Sequence, residues 1–173
     1  MKHAIRLPIL LLSLASASAY AGTGTATTTF NVTATVPGTC KVSAAPLAFG
    51  TYTPGSGAVT GNSNITVNCT NTTAFTVALS AGDSASYTQR YMENTTTSSD
   101  LLDYQLYTTS ALTSVWGDGS TSDGTSTVSG TGTGMAQADA ITETVYGQIP
   151  DSATNQAAVP GSYQDTITVT VSY

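Results

Sequence analysis

The sequence predicts an all-β fold of the sandwich or barrel kind, and three features carry that prediction. Apolar and hydroxyl residues alternate one for one in several short segments, the period of a half-buried strand. Gly and Pro turns separate those segments at the spacing of all-β sandwiches and barrels. Thr supplies 34 of the 173 residues, and a β-branched residue favours strands. Nowhere do apolar residues recur at i, i+3, i+4 and i+7 across three turns. Enough Val, Ile, Leu, Tyr and Phe remain for a core, so the chain reads as folded rather than disordered.

The chain begins with Lys2 and Arg6, a short apolar run from Leu7 to Leu14, and small residues to Ala21. This is the pattern of a secretory signal peptide, residues 1–21, cut after Ala19 or after Ala21. The run is too short to span a bilayer and no other stretch is long enough, so no transmembrane segment is expected after its removal. The remainder, about 152 residues, is one domain by length.

Residues 22–29 are Gly, Thr and Ala only. From Phe30 a strand pattern runs through Val32, Ala34 and Val36, with Asn31, Thr33 and Thr35 on the other face, and stops at Pro37-Gly38. Cys40-Lys-Val-Ser and Leu47-Ala-Phe-Gly-Thr-Tyr52 follow. Asn64–Cys69 alternates cleanly, and after a turn at Asn71 so does Ala74–Ser80. The pattern weakens at Tyr87–Met92 and gives way to a polar loop from Glu93 to Asp100. Leu102, Tyr104 and Leu106 alternate again; Leu112–Trp116 ends at Gly117. A Ser/Thr/Gly loop is expected to Gly134, then a strand at Ile141–Gly147 and a last one at Gly161–Tyr173. In the last, Ile167, Val169, Val171 and Tyr173 alternate with Thr166, Thr168, Thr170 and Ser172. Nothing follows it in the sequence, so this strand is expected at a sheet edge or covered by another segment or chain.

Composition excludes several functions. Beyond residue 21 only Lys41 and Arg90 are basic against ten carboxylates, a formal charge of −8. Such a chain cannot neutralise phosphates, so no nucleic-acid partner is expected. His3 leaves with the signal, so the remainder has no histidine. No catalytic residue, cofactor or metal site is assigned: nucleophile catalysis lacks a base, and none of the carboxylates sits in a motif. The protein is not expected to be an enzyme. Asp118–Gly124 lacks the ligand pattern of an EF-hand and reads as a solvated hairpin loop. Asn-x-Thr triplets follow from Thr abundance. Trp116 reads as a core plug rather than a sugar-stacking platform. Cys40 and Cys69, in an exported chain, are expected to form one disulfide.

Taken in order, these segments resemble the spore coat protein U family, whose domain also forms the subunits of archaic chaperone–usher pili such as Csu pili. The carrying residues are Cys40 with Leu47–Tyr52, Ile65–Cys69, Leu102–Tyr107 with Val115–Gly119, Val145–Pro150, and Gly161–Thr166 with the terminal strand. The resemblance implies an immunoglobulin-like β-sandwich lacking its final strand, completed by a donor strand. It implies a donor extension at residues 22–36 carrying Phe30, Val32, Ala34 and Val36, and a pilin domain at 37–173. The acceptor groove would lie along Ile167, Val169, Val171 and Tyr173. A periplasmic chaperone, an outer-membrane usher and neighbouring pilin subunits are the implied partners. Export through the periplasm to a cell-surface pilus supporting adhesion and biofilm formation is the implied setting; a secreted spore-coat or surface-matrix protein of the same fold is the alternative. The other reading of Phe30–Val36 is a first strand of its own domain.

Overall fold

The computed structural model describes residues 22–173; the expected signal peptide and its cleavage positions lie outside them. The chain divides into two units, residues 1–35 and 36–173. In the first, residues 22–35 carry no strand or helix, and Phe30 and Val32 are 84% and 85% exposed. The strand expected at Phe30–Val36 is therefore not formed. Its alternation is suitable, but a strand also needs a partner for its main chain.

The second unit is all-β. Its strands are β1 (Cys40–Ala44), β2 (Val59–Cys69), β3 (Ala74–Leu79), β4 (Arg90–Asn94), β5 (Leu101–Tyr107), β6 (Val128–Thr131), β7 (Ile141–Ile149), β8 (Tyr163–Gln164) and β9 (Val169–Ser172). Besides 3-10 turns at Gly82–Ser84 and Gln137–Asp139, one α-helical turn, α1 (Ala153–Gln156), starts at Ser152, whose side chain accepts from the Asn155 N–H. Six strands form one antiparallel sheet in the order β1-β2-β7-β5-β4-β8, and three form a second, β6-β3-β9. Between them packs the core: Ile65, Val67 and Cys69 of β2; Phe75, Val77 and Leu79 of β3; Leu102, Tyr104 and Leu106 of β5; Val145 and Ile149 of β7; and Trp116. Each set follows period two, which is why those strands were legible.

Three departures from the sequence reading have physical causes. The terminal segment Gly161–Tyr173 is not one strand. Its start pairs with β4 in the larger sheet and its end with β3 in the smaller, crossing at residues 165–168. Asp165 pins the crossing by accepting from the Tyr104 hydroxyl and the Asp83 N–H. Within the expected loop to Gly134, β6 pairs with β3 through Val128–Thr131. Only Val128 of β6 packs against the core, and Gly130 sits where a Cβ would meet the Phe75 ring at 2.5 Å. Leu112–Trp116 forms only isolated bridges, because the chain there crosses between sheets. The Trp116 N–H donates to Leu106 O on one sheet, while Gly117 O accepts from the Leu79 N–H on the other.

Trp116 is fully buried, and its indole N–H donates to Val77 O at 3.0 Å; it is a core plug. Asn155 is also fully buried and acts as a piece of strand. It accepts from the Asp103 N–H and donates to Asp103 O and Pro150 O, continuing the ladder where β7 ends.

Candidate functional site

The open flank of the sandwich is the candidate site. β1 is an edge of the larger sheet and β9 an edge of the smaller, and they run close together. Between them lies a cavity of about 480 Å³. Ala44 to Leu47 form one wall and Ile167 and Val169 the other; Ile65, Leu79, Leu106 and Val145 make an apolar floor.

The inward face of β1 is open to solvent. Directly opposite residues in an antiparallel pair share a face. Val42 is opposite Val67, yet Val67 is fully buried while Val42 is 41% exposed. On the other wall Val169 is opposite Leu79 and Val171 opposite Val77. Both valines pack on the core but stay half-buried. Of the four residues expected on the groove strand, Ile167 and Val169 line the cavity, Val171 packs on the core without lining it, and Tyr173 is 63% exposed beyond the end of β9.

One end of the groove is built by Leu47–Tyr52, which sequence reasoning singled out without saying why. Gly61 and Gly147 face each other across β2 and β7. A Cβ on Gly147 would meet the Phe49 ring at 2.7 Å, and one on Gly61 would meet Leu47 at 3.3 Å. The paired glycines thus make a shallow bed for both side chains. The Phe49 ring meets Tyr104 edge to face at 6.1 Å, a favoured aromatic geometry. The segment's far end is held by Asp151. Its Oδ1 accepts from the Tyr52 hydroxyl at 2.6 Å and the Gly55 N–H, and its Oδ2 from the Gly57 N–H. Gly55 and Gly57 both have positive φ, which glycine adopts without the penalty of a side chain. These bonds hold the Asp151 carboxyl below its ordinary range, the Tyr52 bond foremost. Tyr52 is pushed up to about 12 by desolvation first and by Asp151 second. Burial, then the bond to Asp165, likewise raises Tyr104.

Two features stiffen the walls. Cys40 and Cys69 form the expected disulfide across the end of the β1–β2 pair. Arg90, which sequence reasoning passed over, is completely buried. Its Nε and Nη2 donate to Ser80 O, Nη2 also to Trp116 O, and Nη1 to Gln105 Oε1. The Tyr87 ring lies 5.4 Å from the guanidinium carbon. Ser80 in turn donates its N–H to Thr168 O and accepts the Thr168 N–H on Oγ, so the guanidinium fixes the start of the β9 wall. Burial pulls its pKa below the ordinary value.

Elsewhere, Asp118 turns its carboxylate on its own loop, accepting from the Ser120 N–H and the Thr125 hydroxyl. Among the described residues no group of three or more His, Cys, Asp or Glu is placed to hold a metal. No helix among them is long and apolar enough to cross a membrane.

Residues 26–170 match the Spore Coat Protein U domain. The chain belongs to that family. Among solved structures, this spore coat protein U domain is similar in fold to a chain of the CsuC–CsuE chaperone–tip adhesion subunit pre-assembly complex, from the archaic chaperone–usher Csu pili of Acinetobacter baumannii. The TM-score is 0.54 at 24% identity, over 80% of this chain and 40% of that one. A chain from a chaperone–tip adhesin complex of CFA/I fimbriae biogenesis aligns with a TM-score of 0.38 at 16% identity, over 76% of this chain and 41% of that one. The domain thus spans about two fifths of the length of these solved chains. No curated protein matches it.

Proposed function

We propose that the protein is a structural subunit of an extracellular chaperone–usher pilus that polymerises by donor-strand exchange. The observation that carries the reading is the open groove between β1 and β9, in a chain that also has an uncharged, alternating, exposed apolar segment. Phe30–Val36 and Ile167–Tyr173 are each seven residues, roughly 23 Å of strand. A strand laid along β9 would pair with its free edge and set four apolar side chains over the groove, a case of strand addition. Burying Phe30, Val32, Ala34 and Val36 would supply on the order of 10 kcal/mol.

Charge favours another copy as the final occupant. Residues 22–173 carry −8 overall, yet 22–40 carry no charge, so an acidic copy can offer its extension to another without repulsion. In this reading a periplasmic chaperone covers the groove first, and at an outer-membrane usher the next subunit's extension replaces it. The product is a surface pilus supporting adhesion and biofilm formation. The domain division follows: donor extension 22–36, pilin domain 37–173. The family's own description favours a second reading, a secreted coat or matrix protein of the same fold.

The test is a melting curve of the body lacking Gly22–Val36, with and without a synthetic peptide of that segment. Donor-strand exchange requires a rise of tens of degrees on adding peptide, and heat-resistant ladders from the full chain on gels. A body whose melting is indifferent to the peptide would sink the reading and move the coat protein ahead.

A further inference from the structure

We infer that Met92 makes the groove sensitive to oxidants: its thioether, once converted to a sulfoxide, bars a strand from seating, and a seated strand shields it. The inference rests on the donor-strand reading.

Few side chains beyond residue 21 are open to a two-electron oxidant such as a peroxide. Histidine is absent there. Both cysteines are held in the disulfide, and none is free among the described residues. Trp116, the single tryptophan, is fully buried. Met92 and Met135 remain. Both are half-buried, but they stand in different places. Met92 lies on β4 opposite Leu102 and packs on the core, where it lines the groove with Leu79, Leu106 and Ile167. Met135 lines a separate depression with Gly134 and the Thr70–Thr73 turn. No residue lines both.

The step balances with the oxidant alone. The Met92 sulfur attacks one peroxide oxygen, the O–O bond breaks and a sulfur–oxygen bond forms; after proton transfer the other oxygen leaves as water. Sulfur gives up an electron pair and the peroxide takes it. The product is polar where the thioether was apolar. The hydroxyls lining the cavity cannot satisfy it, because Ser63 donates to Ala45 O, Tyr104 to Asp165 and Tyr163 to Val159 O. An apolar strand laid over the groove would bury the new oxygen without a hydroxyl partner, which disfavours seating. A strand already seated covers the sulfur instead. Oxidation would thus withdraw copies whose groove is open and spare those in a fibre, and a methionine sulfoxide reductase would return them.

The test takes the chain from Gly22 to Tyr173 at high dilution, with hydrogen peroxide as oxidant and the synthetic Gly22–Val36 peptide as occupant. Mass spectrometry of its fragments follows sulfoxide at each methionine. Excess peptide should slow oxidation of Met92 several-fold and leave Met135 unchanged. Peptide affinity, read from thermal shift, should fall about tenfold or more in the oxidised chain, the scale of one unpaired buried polar group. Met92→Leu, an apolar exchange of similar volume, should keep its affinity through oxidation, whereas Met135→Leu should lose it as the wild type does. Absence of protection at Met92, equal protection of both methionines, unchanged affinity after oxidation of Met92, or lost affinity in oxidised Met92→Leu would each overturn the inference while leaving strand exchange standing. An untreated chain that does not respond to peptide would overturn the underlying reading, and the role of Met92 with it.

Discussion

Replacing Arg90 by Met would keep most of the side-chain volume and remove the guanidinium. A buried cation is often exchangeable for an apolar residue when its partners are side chains that can be replaced with it. Here two of the three acceptors are main-chain carbonyls, Ser80 O and Trp116 O, and the third is Gln105 Oε1. No substitution at position 90 removes them. Each buried acceptor left without a donor costs about 1–3 kcal/mol, set against relief from desolvating the charge. The net loss expected is about 3–5 kcal/mol, a fall in Tm of roughly 10–15 °C for a domain of this size. Arg90→Lys should recover part of it, since an ammonium has donors but lacks the fork that reaches all three sites. The chain's single tryptophan, Trp116, is buried within this network, so its fluorescence through a urea titration reports the change directly. Arg90→Met within about 1 kcal/mol of wild type, at unchanged m-value, would refute the reasoning.

Other outcomes follow from the same structure. Reducing the Cys40–Cys69 bond, or changing both to Ser, should cost about 3–4 kcal/mol in the chain-entropy account, read as a shift in urea midpoint with and without reductant. In alkali, Tyr52 and Tyr104 resist ionisation when folded but ionise near pH 10 when unfolded. Their contribution is therefore whole below about pH 10 and declines as pH rises further; urea midpoints from pH 8 to 11 should fall, and less steeply in Tyr52→Phe. Asp151 has the opposite sign. Its depressed pKa makes its contribution present above about pH 4 and lost as pH falls through the folded value. Asp151→Asn should raise hydrogen exchange at the Gly55 and Gly57 amides relative to wild type at the same pH of 7.

What could be read in the sequence was what period two could encode. β2, β3, β5 and β7 each place apolar residues on one buried face, and all four were visible. β6 was hidden because its paired strand asks little of it beyond Val128 and a glycine under Phe75. The terminal alternation was read correctly as apolar-in, hydroxyl-out from Ile167 to Val171, though Tyr173 is exposed; periodicity carries no mark of a change of sheet partner, so the crossing at Asp165 was missed. Of the groove, Ile167 and Val169 were legible. The bed of Gly61 and Gly147 was not, since two glycines on different strands become a pair only through register. Arg90 and Asn155 were overlooked for a simpler reason: such side chains usually face water, and only the assembled fold shows the carbonyls that hold them.

The two crossings between sheets, at 114–117 and 165–168, bear on how the domain comes apart. The smaller sheet has no strand inventory of its own: β9 continues a segment begun in the larger sheet, and Leu79 of β3 is bonded to the residue after Trp116. Peeling it away breaks ties to β4 and β5 as well, so there is no economical half-open state in which one sheet survives the other. Residues 36–173 should therefore melt in a single transition, with equal calorimetric and van't Hoff enthalpies. A half-folded body would expose sticky strands to its neighbours in a crowded compartment; this layout leaves that species scarcely populated.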